Sequence, residues 1–510
     1  RRWWDLRHYD LAVQVFPDQK EIAGSNQISF KVIQPGQRMQ VDLQPPLNID
    51  SVTYENSNLK FTRNGNVYWI DFPHPLNAGK QATVQIAYSG VPTESVKPPW
   101  QGGVSWDKDT SGNPYIATSC QGIGSSVWWP CKDYGADEPD QGMDIRITTP
   151  TSLKAVSNGR LIKTTINETA NTSTFHWQVK NPINNYGINI NIGDYVHFSE
   201  KFNGEKGLLD CDYWVLKDNL FKAKKQFKEA KRTIEAFEYW FGPYPFYQDS
   251  YKLVEAPYLG MEHQSSVTYG NGYQNGYLGR DLSGMGPGML FDFIIVHETG
   301  HEWFANNITN VDVADMWIHE SFTNYSESLF LEYHFDKATA YKYILGLRAN
   351  IHNKSPIIGQ YNANKVGSGD MYYKGSNMLH TIRQIINDDE KWRNILRGLN
   401  KNFYHQTVTS QQVEEYIIKH GEKDLNKVFD QYLRDTRIPM LEYAVIDKKM
   451  KVRWSNVVDG FNMPVRIFID DTATWLSPST EWSITELPKV DALIKVDANF
   501  YISTLNIMGH

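Results

Sequence analysis

Five consecutive residues, His297-Glu298-Thr299-Gly300-His301, combine two potential metal ligands with a carboxylate beside them. On an α-helix, positions four residues apart are rotated by about 40° around the axis, so His297 and His301 project from one face. Two imidazoles on one face can share a metal ion. Glu298 is offset by one position and lies near that ion without being needed as a ligand. The spacing therefore predicts zinc bound by the histidines, with the glutamate handling protons.

A third ligand candidate, Glu320, follows His301 after eighteen further residues. It lies near the start of a second predicted helix, in which aromatic and apolar residues recur at close to the helical period. A zinc ion with two histidines and one carboxylate keeps its fourth position open for water, which is the catalytic arrangement. We therefore predict one Zn²⁺ per chain as the cofactor, bound by His297, His301 and Glu320. Glu327, two turns after Glu320 on the same face, is a candidate acceptor for the N–H of a ligand histidine.

The elements around the motif support this interpretation. Gly286-Pro287-Gly288 precedes a mostly apolar run, and because proline is favoured at the first helical position, we expect a buried helix to begin there. The alternative is an ordinary buried helix whose two histidines form local hydrogen bonds. For Glu327 the alternative is a solvated glutamate on a helix surface.

Length and composition limit the class of protein. A chain of 510 residues is too long for one core and should divide into about three domains. The net charge of -7 gives no indication of a nucleic-acid partner, and the longest apolar runs are too short to predict a membrane span. The three cysteines, Cys120, Cys131 and Cys211, are expected to be buried free thiols, with a Cys120–Cys131 bridge as the alternative.

The start of the chain, Arg1 to Asp5, lacks the apolar core of a signal sequence. We interpret it as the mature end of a periplasmic or secreted protein, although a cytoplasmic protein would look the same. The oligomeric state is left open by the sequence.

Hydrophobic periodicity predicts three regions. Up to about residue 200, apolar residues alternate with polar ones, as in Tyr9, Leu11, Val13 and Val15, which predicts half-buried strands. The run Ile188, Ile190 and Ile192 with intervening asparagines predicts another. Helical spacing dominates from about 217 to 435, and short strands return after Pro439. We therefore predict a multidomain α and β protein with domains at 1–200, 201–438 and 439–510.

Several separated motifs together resemble the M1 family of zinc aminopeptidases. The zinc residues resemble the gluzincin signature, and Gly260-Met261-Glu262 resembles the substrate-binding motif GxMEN. The resemblance spans nearly the whole chain, and the motifs are specific when taken together. The remaining motifs resemble the family's YxKG, WLNE and PCxD motifs and its SNG turn: Tyr372 to Gly375, Trp317 to Glu320, Cys120-Gln121 with Pro130 to Asp133, and Ser157 to Gly159.

The resemblance implies roles for individual residues. His297, His301 and Glu320 would bind zinc, and Glu298 would be the general base. Glu262, with Gln121 beside it and Gly260 and Met261 before it, would bind the free α-amino group of a peptide or amino-acyl substrate. Tyr372 would stabilise the oxyanion. The fold implied is a three-domain version of the family: a β-rich saddle, a thermolysin-like, mostly helical catalytic domain and a small C-terminal β-sandwich.

The sequence departs from the family motifs at four positions. Leu259 and His263 replace the first glycine and the asparagine of GxMEN. His319 replaces the asparagine of WLNE, and Ser321 the glycine that usually follows it. The proposed ligands are intact. His263 and His319 put the family's usual side-chain preference in doubt, because both flank the site; the alternative is that they are neutral replacements.

Three functions fit these features. The first is a zinc aminopeptidase. The second is a zinc hydrolase of another bond, such as an epoxide, which one branch of the family opens with the same zinc site. The third is a non-catalytic binding protein on this fold, although a binding scaffold has no need of Glu298.

Overall fold

The computed structural model describes residues 1–507, so the last three positions of the predicted domain 439–510 lie outside the described residues. Along the chain, a β-rich N-terminal region is followed by a mostly helical region and a β-rich C-terminal region, as the sequence predicts. The chain groups into two compact units. The first comprises Arg1–Glu235, Pro243–Gln274 and Ile294–Thr309, and the second comprises Ala236–Gly242, Asn275–Phe293 and the chain from Asn310 onward.

Strands dominate the part of the first unit that precedes residue 217. In chain order they are β1 (Trp4–Phe16), β2 (Glu21–Val32), β3 (Gly36–Asp42), β4 (Asn48–Tyr54), β5 (Ser57–Asn58), β6 (Lys60–Asn64), β7 (Val67–Leu76), β8 (Gln81–Gly90), β9 (Gly103–Lys108), β10 (Pro114–Ser119), β11 (Met143–Pro150), β12 (Lys154–Val156), β13 (Arg160–Asn167), β14 (Thr172–Val179), β15 (Asn191–Gly193), β16 (Tyr195–Gly204) and β17 (Gly207–Leu216).

These strands form layered sheets around an aromatic-rich core. The largest sheet has eight strands in the order β13-β14-β11-β1-β2-β8-β4-β5, with a four-stranded sheet, β12-β15-β10-β9, and a three-stranded sheet, β3-β7-β6. In β1 the predicted alternation is confirmed, because Tyr9, Leu11, Val13 and Val15 are buried. β1 pairs antiparallel with β2 and parallel with β11.

The prediction for residues 188–192 is wrong in one respect. Only Asn191–Gly193 forms a strand, and Asn189 and Asn191 are buried together with the isoleucines. The segment is therefore buried on both faces. One asparagine amide reaches a neighbouring side chain: Asn189 Nδ2 lies 3.0 Å from His263 Nδ1.

The middle of the chain contains α1 (Leu220–Gln226), α2 (Lys228–Phe241), β18 (Tyr251–Glu255), β19 (Gly260–Met261), β20 (Val267–Tyr269), α3 (Phe293–Gly300), β21 (Ile308–Asn310), α4 (Trp317–His334), α5 (Lys337–Gly346), α6 (Tyr373–Ile386), α7 (Asp389–Asn402), β22 (Gln406–Val408), α8 (Ser410–Gly421) and α9 (Asn426–Phe429). A five-stranded sheet, β16-β17-β18-β20-β19, lies in the first unit. α4 is buried throughout residues 317–331.

The expected start of the motif helix is wrong. Pro287 begins a short 3-10 turn, Pro287–Met289, and α3 itself starts at Phe293. Proline suits the first position of either kind of helix, so the sequence signal does not distinguish them. Phe291 and Ile294 to Val296 are buried, as expected, whereas Met289 and Leu290 of the same apolar run are exposed.

The C-terminal region forms two small sheets from β23 (Met440–Ile446), β24 (Lys449–Ser455), β25 (Val465–Ile469), β26 (Thr472–Leu476), β27 (Ser483–Glu486), β28 (Ile494–Val496) and β29 (Ser503–Asn506). Their strand orders are β27-β24-β23-β29 and β26-β25-β28. All three cysteines are buried and free, which confirms the prediction of thiols. Among the described residues, every helix is too short or too polar to cross a membrane.

Candidate metal centre

The two motif histidines lie together at the C-terminal end of α3. Ile294, Ile295 and Val296 anchor this helix in the interior, and His297 and His301 are themselves buried. Their ring centroids are 5.0 Å apart. His301 follows the last α-helical residue, Gly300, by one position, so the helical spacing still brings the two rings to one side. The structure thus confirms that the imidazoles are neighbours.

A backbone carbonyl orients His301. The Nδ1 of His301 donates to the carbonyl of Phe304 at 3.0 Å. Because a carbonyl only accepts, Nδ1 carries the proton, and in the neutral ring the lone pair is on Nε2. A metal-binding histidine binds the ion through such a lone pair, and the hydrogen bond on the other nitrogen fixes the direction of the ring. This acceptor could not be predicted from the sequence, because it depends on how the chain turns after α3.

Two buried carboxylates accompany the histidines in the first unit. Glu262, Glu298 and His301 each offer a ligand atom within 4.8 Å of the others. β19 places Glu262 beside α3, since a Cβ on Gly260 would lie 3.1 Å from Glu298 Oε1 and 2.7 Å from Ile294 Cγ2. Glycine at position 260 therefore allows the strand to approach the helix that carries Glu298.

Glu262 is held from two sides. The side chain of Gln121, two residues after the end of β10, donates through Nε2 to Glu262 Oε1 at 2.8 Å. The side chain of Asn306 donates to the backbone carbonyl of Glu262 at 2.9 Å. Met261 packs in a small buried cluster with Ala117, Ala256 and Tyr258. The carboxylate is only 4% exposed, so its direction is fixed by neighbours rather than by solvent.

The electrostatics of this region are negative. Burial raises the pKa of the Tyr258 hydroxyl, and the carboxylates of Glu298 and Glu262 raise it further. Glu302 adds little to this negative charge at neutral pH, because burial raises its pKa to about 8; it accepts the N–H of Ser265 at 2.8 Å. A cation, or a cationic group of a ligand, is what this part of the first unit would attract.

His263, the departure next to Glu262, adds no positive charge. Burial lowers the pKa of its imidazole to about 3, so the ring is neutral at physiological pH. Its Nδ1 lies 2.7 Å from Thr268 Oγ1 and 3.0 Å from Asn189 Nδ2, which places it as an acceptor in a polar cluster. His263 therefore acts here as a buried neutral acceptor.

The second unit carries the other predicted site residues. Glu320 lies in the first turn of α4 and is buried. Tyr372 is the N-cap residue of α6, directly after the 3-10 turn Gly369–Met371. Glu327 is buried and accepts from Asn324 Nδ2 at 2.9 Å and from the hydroxyl of Tyr343 at 2.5 Å. It is therefore an ordered acceptor rather than a solvated helix glutamate.

The donor set suits zinc. His297, His301 and Glu320 are all buried, and a hydrogen bond orients His301. Imidazole nitrogens and carboxylate oxygens are ligands that Zn²⁺ prefers. The observation that fits a metal best is His301, whose proton is held on Nδ1 by Phe304, so that Nε2 carries the lone pair.

Family models match most of the chain. The model described as the Peptidase M1 N-terminal domain matches residues 6–186, and that of the Peptidase family M1 domain matches residues 225–432. The second match includes every predicted site residue except Gln121.

Curated relatives point the same way at low identity. The chain is 21% identical over 441 residues to leukotriene A-4 hydrolase of Xenopus laevis, covering 81% of this chain and 68% of that protein. It is 23% identical over 411 residues to aminopeptidase B of Rattus norvegicus, covering 76% and 56% respectively. For aminopeptidase N of Lactobacillus helveticus the identity is 22% over 470 residues, covering 86% and 52%. The chain thus spans about half to two thirds of the length of these relatives.

Solved structures show the same fold. An M1 zinc metallopeptidase from Deinococcus radiodurans superposes with a TM-score of 0.73 at 19% identity, covering 86% of this chain and 95% of that one. A two-domain M1 zinc metallopeptidase mutant bound to L-tryptophan gives a TM-score of 0.70 at 19% identity, covering 82% and 92%.

Proposed function

Because this chain belongs to peptidase family M1, a family of zinc metallopeptidases, we propose that it is a zinc-dependent aminopeptidase that removes the N-terminal residue from peptides. One observation carries the proposal. Glu262, fixed by Gln121, presents a buried carboxylate within 4.8 Å of ligand atoms of Glu298 and His301. A carboxylate at that place can bind a substrate ammonium group next to the reacting bond.

The proposed zinc ligands are His297, His301 and Glu320. Bound zinc lowers the pKa of a coordinated water to about 7, which supplies a nucleophile at neutral pH. The protein's part is to hold the ligands in one protonation state. For His301 the carbonyl of Phe304 does this. Glu327, ordered by Asn324 and Tyr343, is the proposed acceptor for the N–H of a ligand histidine.

Glu298 is the proposed general base. Its place one residue after His297, with Glu262 and His301 close by, puts a carboxylate beside the metal without making it a ligand. It would accept the proton of the attacking water and deliver it to the leaving amine. Because Glu262 and Glu298 are both buried and close together, ionisation of both is unfavourable unless a cation lies beside them. The substrate ammonium provides that cation when it binds Glu262.

Tyr372 is the proposed oxyanion donor. Its position at the start of α6 leaves the ring half-buried, as expected for a side chain at the border of a site. An O–H aimed at the developing oxyanion stabilises the transition state more than the ground state.

Glu262 would enforce exopeptidase action. A substrate ammonium gains charge-assisted hydrogen bonds from this carboxylate. A peptide that continued beyond the first residue would place an amide, without charge, against a buried anion. Cleavage is therefore confined to the first residue of the chain.

The finer architecture is also part of the proposal: an N-terminal saddle at 1–200, a thermolysin-like catalytic domain at 201–438 and a C-terminal β-sandwich at 439–510. The order of strand-rich, helical and strand-rich segments supports it.

The test is a panel of amino-acyl fluorogenic substrates, assayed with and without a chelator. We expect turnover of free amino-acyl compounds, its loss on chelation, and recovery with one zinc per chain. Anomalous scattering at the zinc edge should place the ion at His297, His301 and Glu320. Full activity in zinc-free protein would refute the proposal, and so would an ion held by Glu262 and Glu298. No turnover of any amino-acyl substrate by the zinc-loaded protein would favour a hydrolase of another bond.

A further inference from the structure

Ser321 and His319, two departures from the family motif, flank Glu320, and both bind backbone groups of the second unit. Ser321 Oγ donates to the carbonyl of Met371 at 2.7 Å. His319 Nε2 accepts the N–H of Asn310 at 2.9 Å. Both side chains are buried. The first turn of α4, which carries Glu320, is therefore tied to two other segments.

Ser321 also fills a space that α6 provides. A Cβ on Gly375 would lie 1.9 Å from Ser321 Oγ and 2.7 Å from its Cβ. α4 and α6 can therefore approach at this point only because residue 375 has no side chain. The serine hydroxyl takes the place of that missing side chain, and its hydrogen bond fixes the contact.

The acceptor of this bond immediately precedes Tyr372. Met371 is the last residue of the turn Gly369–Met371, and Tyr372 follows with φ -73° and ψ -80°, outside the helical region, as the N-cap of α6. The position of the Tyr372 side chain therefore depends on how this turn is held. Ser321 is the side chain that holds its final carbonyl, and a glycine at 321 could not form the bond.

We propose that Ser321 is a positioning residue that couples the turn before Tyr372 to the helix that carries Glu320. This inference rests on the proposed function, because it gives Ser321 an effect on turnover only through Tyr372. Loss of the Ser321 hydroxyl leaves the proposed ligands, general base and ammonium site unchanged, and it lets the tyrosine hydroxyl move away from the oxyanion.

The expected effect is on kcat. Ser321→Ala removes one buried hydrogen bond, and we expect kcat to fall about threefold to tenfold. KM should stay within about twofold and zinc content should be unchanged, because neither substrate binding nor the ligands are touched. Ser321→Gly, which restores the residue usual in the family, should behave in the same way.

A matched control lies on the same helix. Ser328 is also buried, and its Oγ donates to the carbonyl of Ala340 in α5 at 3.0 Å. Ser328→Ala removes the same kind of interhelical bond away from Tyr372. It should lower the melting temperature about as much as Ser321→Ala and leave kcat unchanged.

Two further variants test the mechanism of the coupling. In a Tyr372→Phe background, Ser321→Ala should have no additional effect on kcat, because the hydroxyl it positions is gone. Gly375→Ala should by itself lower the melting temperature, because the new Cβ clashes with Ser321. Adding Ser321→Gly removes the clashing atoms and should restore the melting temperature.

The outcomes separate the two hypotheses. If Tyr372→Phe lowers kcat but Ser321→Ala does not, the role of Ser321 is overturned and the proposed function stands. The same conclusion follows if the double variant shows the product of the two single losses of kcat. If Tyr372→Phe itself leaves kcat unchanged, the role assigned to Tyr372 fails and the role of Ser321 fails with it. An equal loss of kcat in Ser328→Ala would show that general destabilisation is the cause.

Discussion

Replacement of Glu262 by glutamine should separate the charge of this residue from its shape. The substitution keeps the size of a side chain that is only 4% exposed. Gln121 Nε2, now 2.8 Å from Oε1, can still donate to the amide oxygen that remains. The geometry of the proposed ammonium site is therefore retained, and only the negative charge is lost.

The magnitude follows from the difference between the two hydrogen bonds. A bond between charged partners contributes about 1.5–3 kcal/mol and a bond to a neutral acceptor about 0.5–1.5 kcal/mol. The loss is therefore about 1–2 kcal/mol, which lowers kcat/KM for a free amino-acyl substrate roughly fivefold to thirtyfold. An N-acetylated substrate has no ammonium group, so its slow cleavage should change by less than about twofold.

The assay compares kcat/KM for a free peptide and its acetylated counterpart in both proteins. Glu255→Gln is the matched control. Glu255 is a buried carboxylate of the same sheet, and it accepts the N–H of Leu216 at 2.7 Å and the amide of Asn219 at 2.6 Å. Its removal should leave the ratio of the two substrates unchanged. A ratio in Glu262→Gln equal to that of the wild type would refute the assignment of Glu262.

Three further predictions concern single residues. Glu298→Gln should keep zinc and lose about 10² to 10⁴ in kcat, as measured by steady-state kinetics with elemental analysis, because the proton acceptor is gone. Tyr372→Phe should lower kcat by about 10² to 10³ with little change in KM, whereas Tyr373→Phe, the control at the adjacent ring, should not. Burial raises the pKa of Glu302 from 4.5 to about 8, so the folded state retains a proton that the unfolded chain releases, and stability falls as the pH rises between these values. Glu302→Gln should therefore match the wild type below pH 4.5 in denaturant titrations and exceed it above pH 8 by on the order of 4 kcal/mol; equal pH dependence in the two proteins would contradict this.

The parts of the fold that follow local periodicity were predictable. Strand β1 and helix α4 carry strong patterns with periods of two and about 3.6 residues, and both occur where expected. The start of α3 could not be predicted, because a proline that suits the first turn of an α-helix also suits the 3-10 turn Pro287–Met289. The full burial of Asn189 and Asn191 depends on packing on both faces, which an alternating pattern does not record.

The site itself was predictable in its residue types and only partly in its geometry. The four-residue spacing of His297 and His301 fixes their proximity. Gln121 and Glu262 are 141 positions apart, so only the resemblance to a family suggested their contact. The acceptor for His301 is a backbone carbonyl, and any residue type could supply it. The bond from Ser321 to Met371 could not be predicted for the same reason, since its acceptor is also a backbone carbonyl.

The most direct test of the proposed aminopeptidase activity is the cleavage pattern of one peptide in two forms. The zinc-loaded wild-type protein is incubated with a peptide that has a free N-terminus and with its N-acetylated twin, and the products are followed by mass spectrometry. An aminopeptidase with Glu262 as its ammonium site should give a ladder that shortens from the N-terminus by single residues for the free peptide, and almost no cleavage of the acetylated one. Internal cleavage of the acetylated peptide at a comparable rate would contradict it and indicate an endopeptidase.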